Sequence, residues 1–478
     1  MLFNSPEFLL FLIIVFSLHW FVLSGRTRMQ SLLLLVSSCI FYMFFIPKYI
    51  FILFITIIID YIAGIYIAKS EGRKRKIYLI VSIISTCMVL FVFKYYDFFV
   101  NNVNSISSIL GWNYSITAMK IILPIGLSFH TFQSLSYVIE VYRRKQEPEK
   151  DFVIYSLYVM YFPQLVAGPI ERAGNLLHQF HAKKSFNFKL AAEGLHQILW
   201  GLFKKIVIAD TCAAYANHAF AHYHDLSGIS LMLGAVAFAF QIYGDFSGYS
   251  DIAIGTSKLF GVHLMRNFNL PYFATNIAEF WRRWHISLST WFRDYVYFPL
   301  GGSRVDGWKL YRNVFFIFVL SGIWHGANWT FVIWGVIHAV VYSIYSAVVK
   351  RTKHKEDLSH AHGWSLTTFF NGLVTFIIVT IAWVFFRAAD VSEAVHYLAG
   401  IVHHPLFGTD VWSFVNMSIL IIPFCILEWF NRNSIDGVIF SAQKIKPVYR
   451  LAIELVLALL IIDCFYTLNH EQFIYFQF

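Results

Sequence analysis

The chain has 478 residues, 58% of them hydrophobic and only 13% charged, with a formal net charge of +10. Apolar runs near bilayer length recur from Pro6 to Leu468, which excludes a water-soluble globular enzyme and predicts an all-α polytopic membrane protein. The cations lie in short clusters between those runs, as orientation signals do and nucleic-acid surfaces do not.

The first run, 8–23, follows Glu7 rather than a basic leader and lacks an A-x-A cleavage site, so a retained helix is expected. Runs 30–46, 49–68, 77–96 and 118–142 follow. The basic stretches 25–28, 69–76, 143–145 and 350–355 are assigned to the cytoplasm, which leaves 101–115 on the outer side. Runs 366–386, 415–430 and 451–468 then carry the chain to an extracytoplasmic C-terminus. With spans of about 20 residues this amounts to about eleven crossings, plus re-entrant pieces where Gly, Pro, Gln or His interrupts a run. Cys39, Cys87, Cys212, Cys425 and Cys464 lie in or beside apolar segments and read as buried structural thiols. Neither they nor the histidines have metal-ligand spacing, so no metal is expected.

No tandem repeat or linker divides the chain, and residues 1–478 are expected to form a single membrane domain. A catalytic core at about 120–350 carries the polar motifs, four of which stand out: 124–133, 163–172, 241–251 and 279–294. Asp245 and Asp251 in the third sit in a run too polar for lipid and need partners, which arginines, tyrosine hydroxyls or a histidine could supply. A structural salt bridge is favoured there over acid-base work. The fourth motif reads as one amphipathic helix with Trp284, Leu288 and Trp291 on one face. Its Arg282, Arg283 and Arg293 either reach substrate phosphates or anchor the helix to anionic lipid, and the pattern does not choose between them.

The sharpest feature is His325, an imidazole inside the apolar stretch 314–349, where it can take and return a proton away from bulk water. Gly322 and Gly326 flank it and permit close approach by a ligand or a helix. His285 lies 40 residues earlier (325 − 285), far enough for a separate helix. It either orients the reacting groups or is a satisfied core histidine. No G-x-S-x-G elbow is present, so a hydroxyl or thiol of a substrate is the group to be activated. After the last run the chain reads Phe473-Ile474-Tyr475-Phe476-Gln477-Phe478. This is either an interfacial aromatic belt or a segment that folds back so that Tyr475 approaches His325. A phenol, with a pKa of about 10, would make an activated ester.

In order and wording, residues 124–126, 163–170, 245–251, 279–291 and 324–329 resemble the motifs of the membrane-bound O-acyltransferase family. The likeness is to its bacterial branch, which decorates alginate, peptidoglycan or teichoic acid. The resemblance implies a ring of transmembrane and re-entrant helices around a central funnel or pore. It makes His325 the catalytic histidine and His285 the second histidine of the funnel, with Trp324 and Asn328, beside the three arginines, as substrate- or donor-binding candidates. The tail is similar to an F-x-Y-x-x-F acyl-carrier motif, matched by Phe473, Tyr475 and Phe478. The implied reaction moves an acyl group, acetyl by family analogy, from a cytoplasmic acyl-CoA co-substrate through Tyr475 to an extracytoplasmic SGNH-like serine acyltransferase, and on to a cell-surface polysaccharide. No cofactor is expected to stay bound, no nucleic acid is implied, and the location implied is the bacterial cytoplasmic membrane. Two rival readings are a proton-coupled secondary transporter and a lipid O-acyltransferase fed laterally from the bilayer.

Overall fold

In the computed structural model, residues 1–112, 114–119, 123–305, 307–352, 365–431, 446–468 and 473–474 are described. Helices are the only regular elements among them. The chain falls into two units, Met1–Leu195 with Ala253–Met265 and His196–Ile252 with Arg266–Phe478.

The first unit contains α1 (Pro6–Ser17), α2 (Thr27–Met43), α3 (Ile50–Lys69), α4 (Gly72–Leu90), α5 (Tyr96–Ile109), α6 (Leu127–Tyr142), α7 (Phe152–Met160) and α8 (Ala173–His181). α1 starts where the sequence provides both stop and start: Pro6 occupies the first turn, and the Ser5 hydroxyl accepts the Phe8 amide at 3.3 Å. Asp60 of α3 is fully buried and survives there because Ser82 of α4 donates to it at 2.6 Å and Thr86 at 3.1 Å. A methyl on Gly64 would lie 2.7 Å from the Tyr137 ring, so this glycine lets α6 pack on α3. The motifs 124–133 and 163–172 meet in this unit. Gly126 has φ +76, and a Cβ there would sit 2.6 Å from the carbonyl of Leu165. Glu171 accepts from the Met265 amide and the Asn175 side chain, both at 2.5 Å. In the second motif Glu171 is occupied by the fold itself, whereas in the first His130 and Thr131 are buried without a hydrogen bond among the described residues.

α9 (Phe188–Leu202) leads into the second unit, which holds α10 (Asp210–Ala221), most of α11 (Gly228–Leu259), α12 (Ile277–Arg283), α13 (Ile286–Phe292), α14 (Trp308–His325), α15 (Trp329–Thr352), α16 (Leu366–Arg387), α17 (Val391–His403), α18 (Val411–Val415), α19 (Ser418–Phe430) and α20 (Pro447–Thr467). Among the described residues six helical segments are long and apolar enough to cross a membrane: Pro47–Lys69, Gly72–Ile109, Gly228–Leu259, Trp329–Val349, Leu366–Arg387 and Val411–Phe430. Pro6–Val22 and Thr27–Met43 are shorter apolar helices. The protein is therefore an all-α, multi-pass membrane protein. Among the described residues the long apolar helices are fewer than the crossings expected from runs, and the first two runs fold as the shorter helices Pro6–Val22 and Thr27–Met43. Two boundaries also differ. The helix expected to stop at 96 continues through a π-type turn into α5 and ends at Ile109, and among the described residues of the run from 118 the helix starts at Leu127, after the left-handed Gly126. Of the five cysteines only Cys212 is fully buried, and Cys87 is exposed on an apolar helix face.

α14 and α15 form a hairpin whose spacing is set by glycine. A Cβ on Gly322 would lie 2.2 Å from the Phe331 carbonyl oxygen, and one on Gly335 would lie 2.4 Å from that of Phe318. A Cβ on Gly326 would lie 2.0 Å from the Phe331 ring. What approaches the glycines around His325 is therefore the next helix. Replacing Gly335 by leucine should overpack this hairpin at a cost of about 1–3 kcal/mol, read as a lower thermal unfolding midpoint of the purified protein in detergent.

Candidate active site

The second unit brings a charged core, His285 and the start of the C-terminal segment onto or beside one helix, α11. Gly201 and Gly248 face each other so closely that a Cβ on either would lie 2.6 or 2.8 Å from the other's carbonyl oxygen, and one on Gly244 would lie 2.9 Å from that of Lys204. Small residues at a helix crossing allow such approach in a membrane protein. The closeness lets two consecutive lysines in the π-type turn 203–209 reach α11 without crossing water. Lys204 pairs with Asp251 at 2.5 Å and donates to Ser247 at 2.9 Å. Lys205 pairs with Asp245 at 3.0 Å and Asp210 at 2.7 Å. Gln197 adds a hydrogen bond to Asp251 at 2.9 Å. Both acidic residues of the 241–251 motif are thus ion-paired. Their partners are Lys204 and Lys205, which sequence reading passed over because the two lie in a different, apolar run.

The 279–294 motif is not the single helix that its periodicity suggests. α12 ends at Arg283, His285 takes a left-handed conformation with φ +43, and α13 begins at Ile286. The break is paid for by Asn267, whose backbone carbonyl accepts the Ile286 amide at 2.8 Å. Its side-chain oxygen lies 3.0 Å from His285 Nδ1 and accepts from the Ser287 hydroxyl at 2.9 Å, while its amide donates to Ser250 of α11 at 3.2 Å. A left-handed non-glycine residue carries strain that surrounding contacts must hold. The backbone therefore fixes the His285 ring, which is fully buried with its edge or face against Phe246 at 4.6 Å and Phe268 at 6.4 Å. Trp284, Leu288 and Trp291 are all buried, although Trp284 lies in the break after α12 and the other two on α13.

His325 is the last residue of α14 and is 5% exposed. Its ring lies 4.8 Å from Trp324, 5.1 Å from Trp334 of α15 and 5.2 Å from Phe386 of α16. Trp324 also contacts His285 at 6.2 Å, so one indole touches both histidine rings. A third histidine that sequence reading did not single out, His338, stands one turn beyond Trp334 on α15. It packs 4.8 Å from that ring and 5.0 Å from Trp281, and its two nitrogens make no hydrogen bond among the described residues. Its spacing of four from Trp334 was the available signal.

The other candidates separate by geometry. Arg283 is committed to Glu279 at 2.7 Å and to the Asn269 carbonyl at 3.2 Å, whereas Arg282 is exposed and Arg293 is exposed with Asp294 at 2.8 Å. Asn328 caps α15, accepting the Thr330 amide at 3.1 Å and donating to the Ala389 carbonyl at 2.7 Å. An open groove of about 340 Å³ lies against the first turn of α12, lined by Thr275, Asn276, Val341, Tyr345, Asn371 and Thr375. Of the tail motif, Phe473 is buried, 5.1 Å from Tyr249 and 6.2 Å from Phe246, and Ile474 is buried with it. Tyr475 and Phe478 lie outside the described residues.

The profile of the membrane-bound O-acyltransferase family matches residues 146–389, more than half of the chain. The chain belongs to that family. This membrane-bound O-acyltransferase is 33% identical to the peptidoglycan O-acetyltransferase of Helicobacter pylori over 96% of its own length and 88% of that relative. It is 38% identical to the probable alginate O-acetylase AlgI of Pseudomonas aeruginosa over 86% of this chain and 76% of that relative. With the teichoic acid D-alanyltransferase of Bacillus subtilis it shares 29% identity over 55% of this chain and 68% of that relative. The matched stretch contains both histidines, the three arginines and the lysine–carboxylate core.

Two substitutions probe how this O-acyltransferase holds its site. Lys205→Met leaves Asp210 and Asp245 buried without their shared cation and should destabilise the protein by about 3–5 kcal/mol, seen as loss of the folded fraction on size exclusion. Asn267→Ala removes the acceptor beside His285 and Ser287. It should cost about 1–3 kcal/mol in thermal stability and lower acyl transfer together with it, while Asn267→Asp should retain more of both.

Proposed function

We propose that the enzyme carries an acyl group, acetyl by preference, from a cytoplasmic thioester to a cell-surface polysaccharide by way of Tyr475. The names of its relatives support the acceptor class, since they act on peptidoglycan and, for the alginate acetylases and teichoic acid transferases, on other envelope polymers. The observation that carries the reading is the shared wall of aromatic rings. His285 and His325 both touch Trp324, and His285 and Phe473 both touch Phe246.

In the reaction, His325 accepts the phenolic proton of Tyr475, and the phenolate oxygen attacks the thioester carbonyl carbon. The carbon–sulfur bond breaks as the carbon–oxygen bond forms, and the departing thiolate takes the proton back from His325. His285, held by Asn267 on the other side of Trp324, orients the reacting groups. The donor is an acyl-CoA whose phosphates meet the exposed Arg282 and Arg293, with Trp324 and Asn328 shaping the end of the donor path beside His325. On the extracytoplasmic side a serine of an SGNH-like partner attacks the acyl-tyrosine, regenerates the phenol and passes the acyl group to the polymer. On this reading the protein sits in the bacterial cytoplasmic membrane with its C-terminal segment outside.

His325→Ala should lower acetyl transfer by about 10²–10⁴. Purified protein given labelled acetyl-CoA should carry one acetyl group on the peptide containing Tyr475, detected by mass spectrometry, and Tyr475→Phe should abolish both that label and polymer acetylation. Retention of full activity in the phenylalanine variant rules the relay out, and label recovered in lipid instead of polymer selects a lipid acceptor.

A further inference from the structure

The charged core sets three carboxylates against two lysines, one negative charge more than its cations balance. Lys204 is matched by Asp251 and Lys205 by Asp210, at 2.5 and 2.7 Å. Asp245 adds a third carboxylate, 3.0 Å from Lys205 and buried, in a core where its remaining acceptor capacity must be filled. What fills it is the C-terminal segment: the Ile474 amide donates to Asp245 Oδ2 at 2.6 Å, across 229 residues of sequence. A hydrogen bond to an ionised acceptor is about twice as strong as a neutral one. One turn further along α11, Tyr249 receives the Phe473 ring at 5.1 Å, and Phe246, the neighbour of Asp245, touches both Phe473 and His285. The chain is thus held at a backbone atom and an adjacent ring, directly before Tyr475.

We infer that Asp245, braced by Lys205, is a positioning residue that clamps the C-terminal segment on α11 beside His285, so that Tyr475 starts from a fixed backbone anchor. Its catalytic consequence rests on the relay proposed above, whereas the clamp itself does not. The segment is then a bound part of the site during acyl loading, and the clamp lowers the entropy of bringing the phenol to the base.

Hydrogen–deuterium exchange of the full-length protein in detergent reads the clamp directly. Amides at 473–474 should exchange about tenfold faster or more in Asp245→Ala than in the parent protein, with Lys205 still neutralised by Asp210. Phe473→Ala should free the same amides without altering α11, which covers the case in which the Asp245 variant does not fold. In both variants acetyl loading from labelled acetyl-CoA should fall by about tenfold or more at saturating donor. Unchanged exchange in both variants overturns the clamp, and a released segment with undiminished acetyl transfer overturns the positioning role. Tyr475→Phe should leave exchange at 473–474 as in the parent. If that variant stays active, the relay is lost while the exchange comparison still decides the clamp.

Discussion

The second unit depends on burying the charges of Lys204 and Lys205 against the carboxylates of α11. Desolvating five ionised groups is expensive, and the arrangement holds only because Gly201, Gly244 and Gly248 bring the backbones together closely enough for ion pairs at 2.5–3.0 Å. The same pairs fix the rotation of α11 about its axis. That rotation decides which of its residues face His285 and its neighbour: Phe246 lies against the His285 ring and Ser250 against the Asn267 amide.

From that fixed helix the site is assembled by interactions of different kinds. Backbone strain at His285 is held by Asn267, which places the ring without relying on a flexible side chain. His325 is placed by helix termination: α14 ends on it, Gly326 admits Phe331, and Trp334 and Phe386 close around the imidazole. Trp324 belongs to both surroundings. Fixed rings and short-range backbone contacts leave these side chains little freedom to reorganise.

Much of this was legible in the chain itself. His325 stands out because an imidazole in an apolar run is costly, and the motif order 124–126 to 324–329 carries the resemblance to the family by itself. The demand that Asp245 and Asp251 be paired was also readable, since buried carboxylates cannot stand alone. Their partners were not, because Lys204 and Lys205 are distant in sequence and sit in a run whose apolar composition hides them. The helix break at His285 was equally hidden. The periodicity of 279–294 is unbroken, and the competing hydrogen bonds come from Asn267 in a preceding loop.

The sequence by itself determined the solvent in which the protein folds, its helical class and its family, because hydropathy, charge placement and motif order are local properties that need no partner. Tertiary structure alone decided which cations neutralise α11, which residue strains His285 into place, and that Asp245 receives the Ile474 amide. Each of these is a contact between segments far apart in the chain, and its energy exists only once the intervening helices have packed and excluded water.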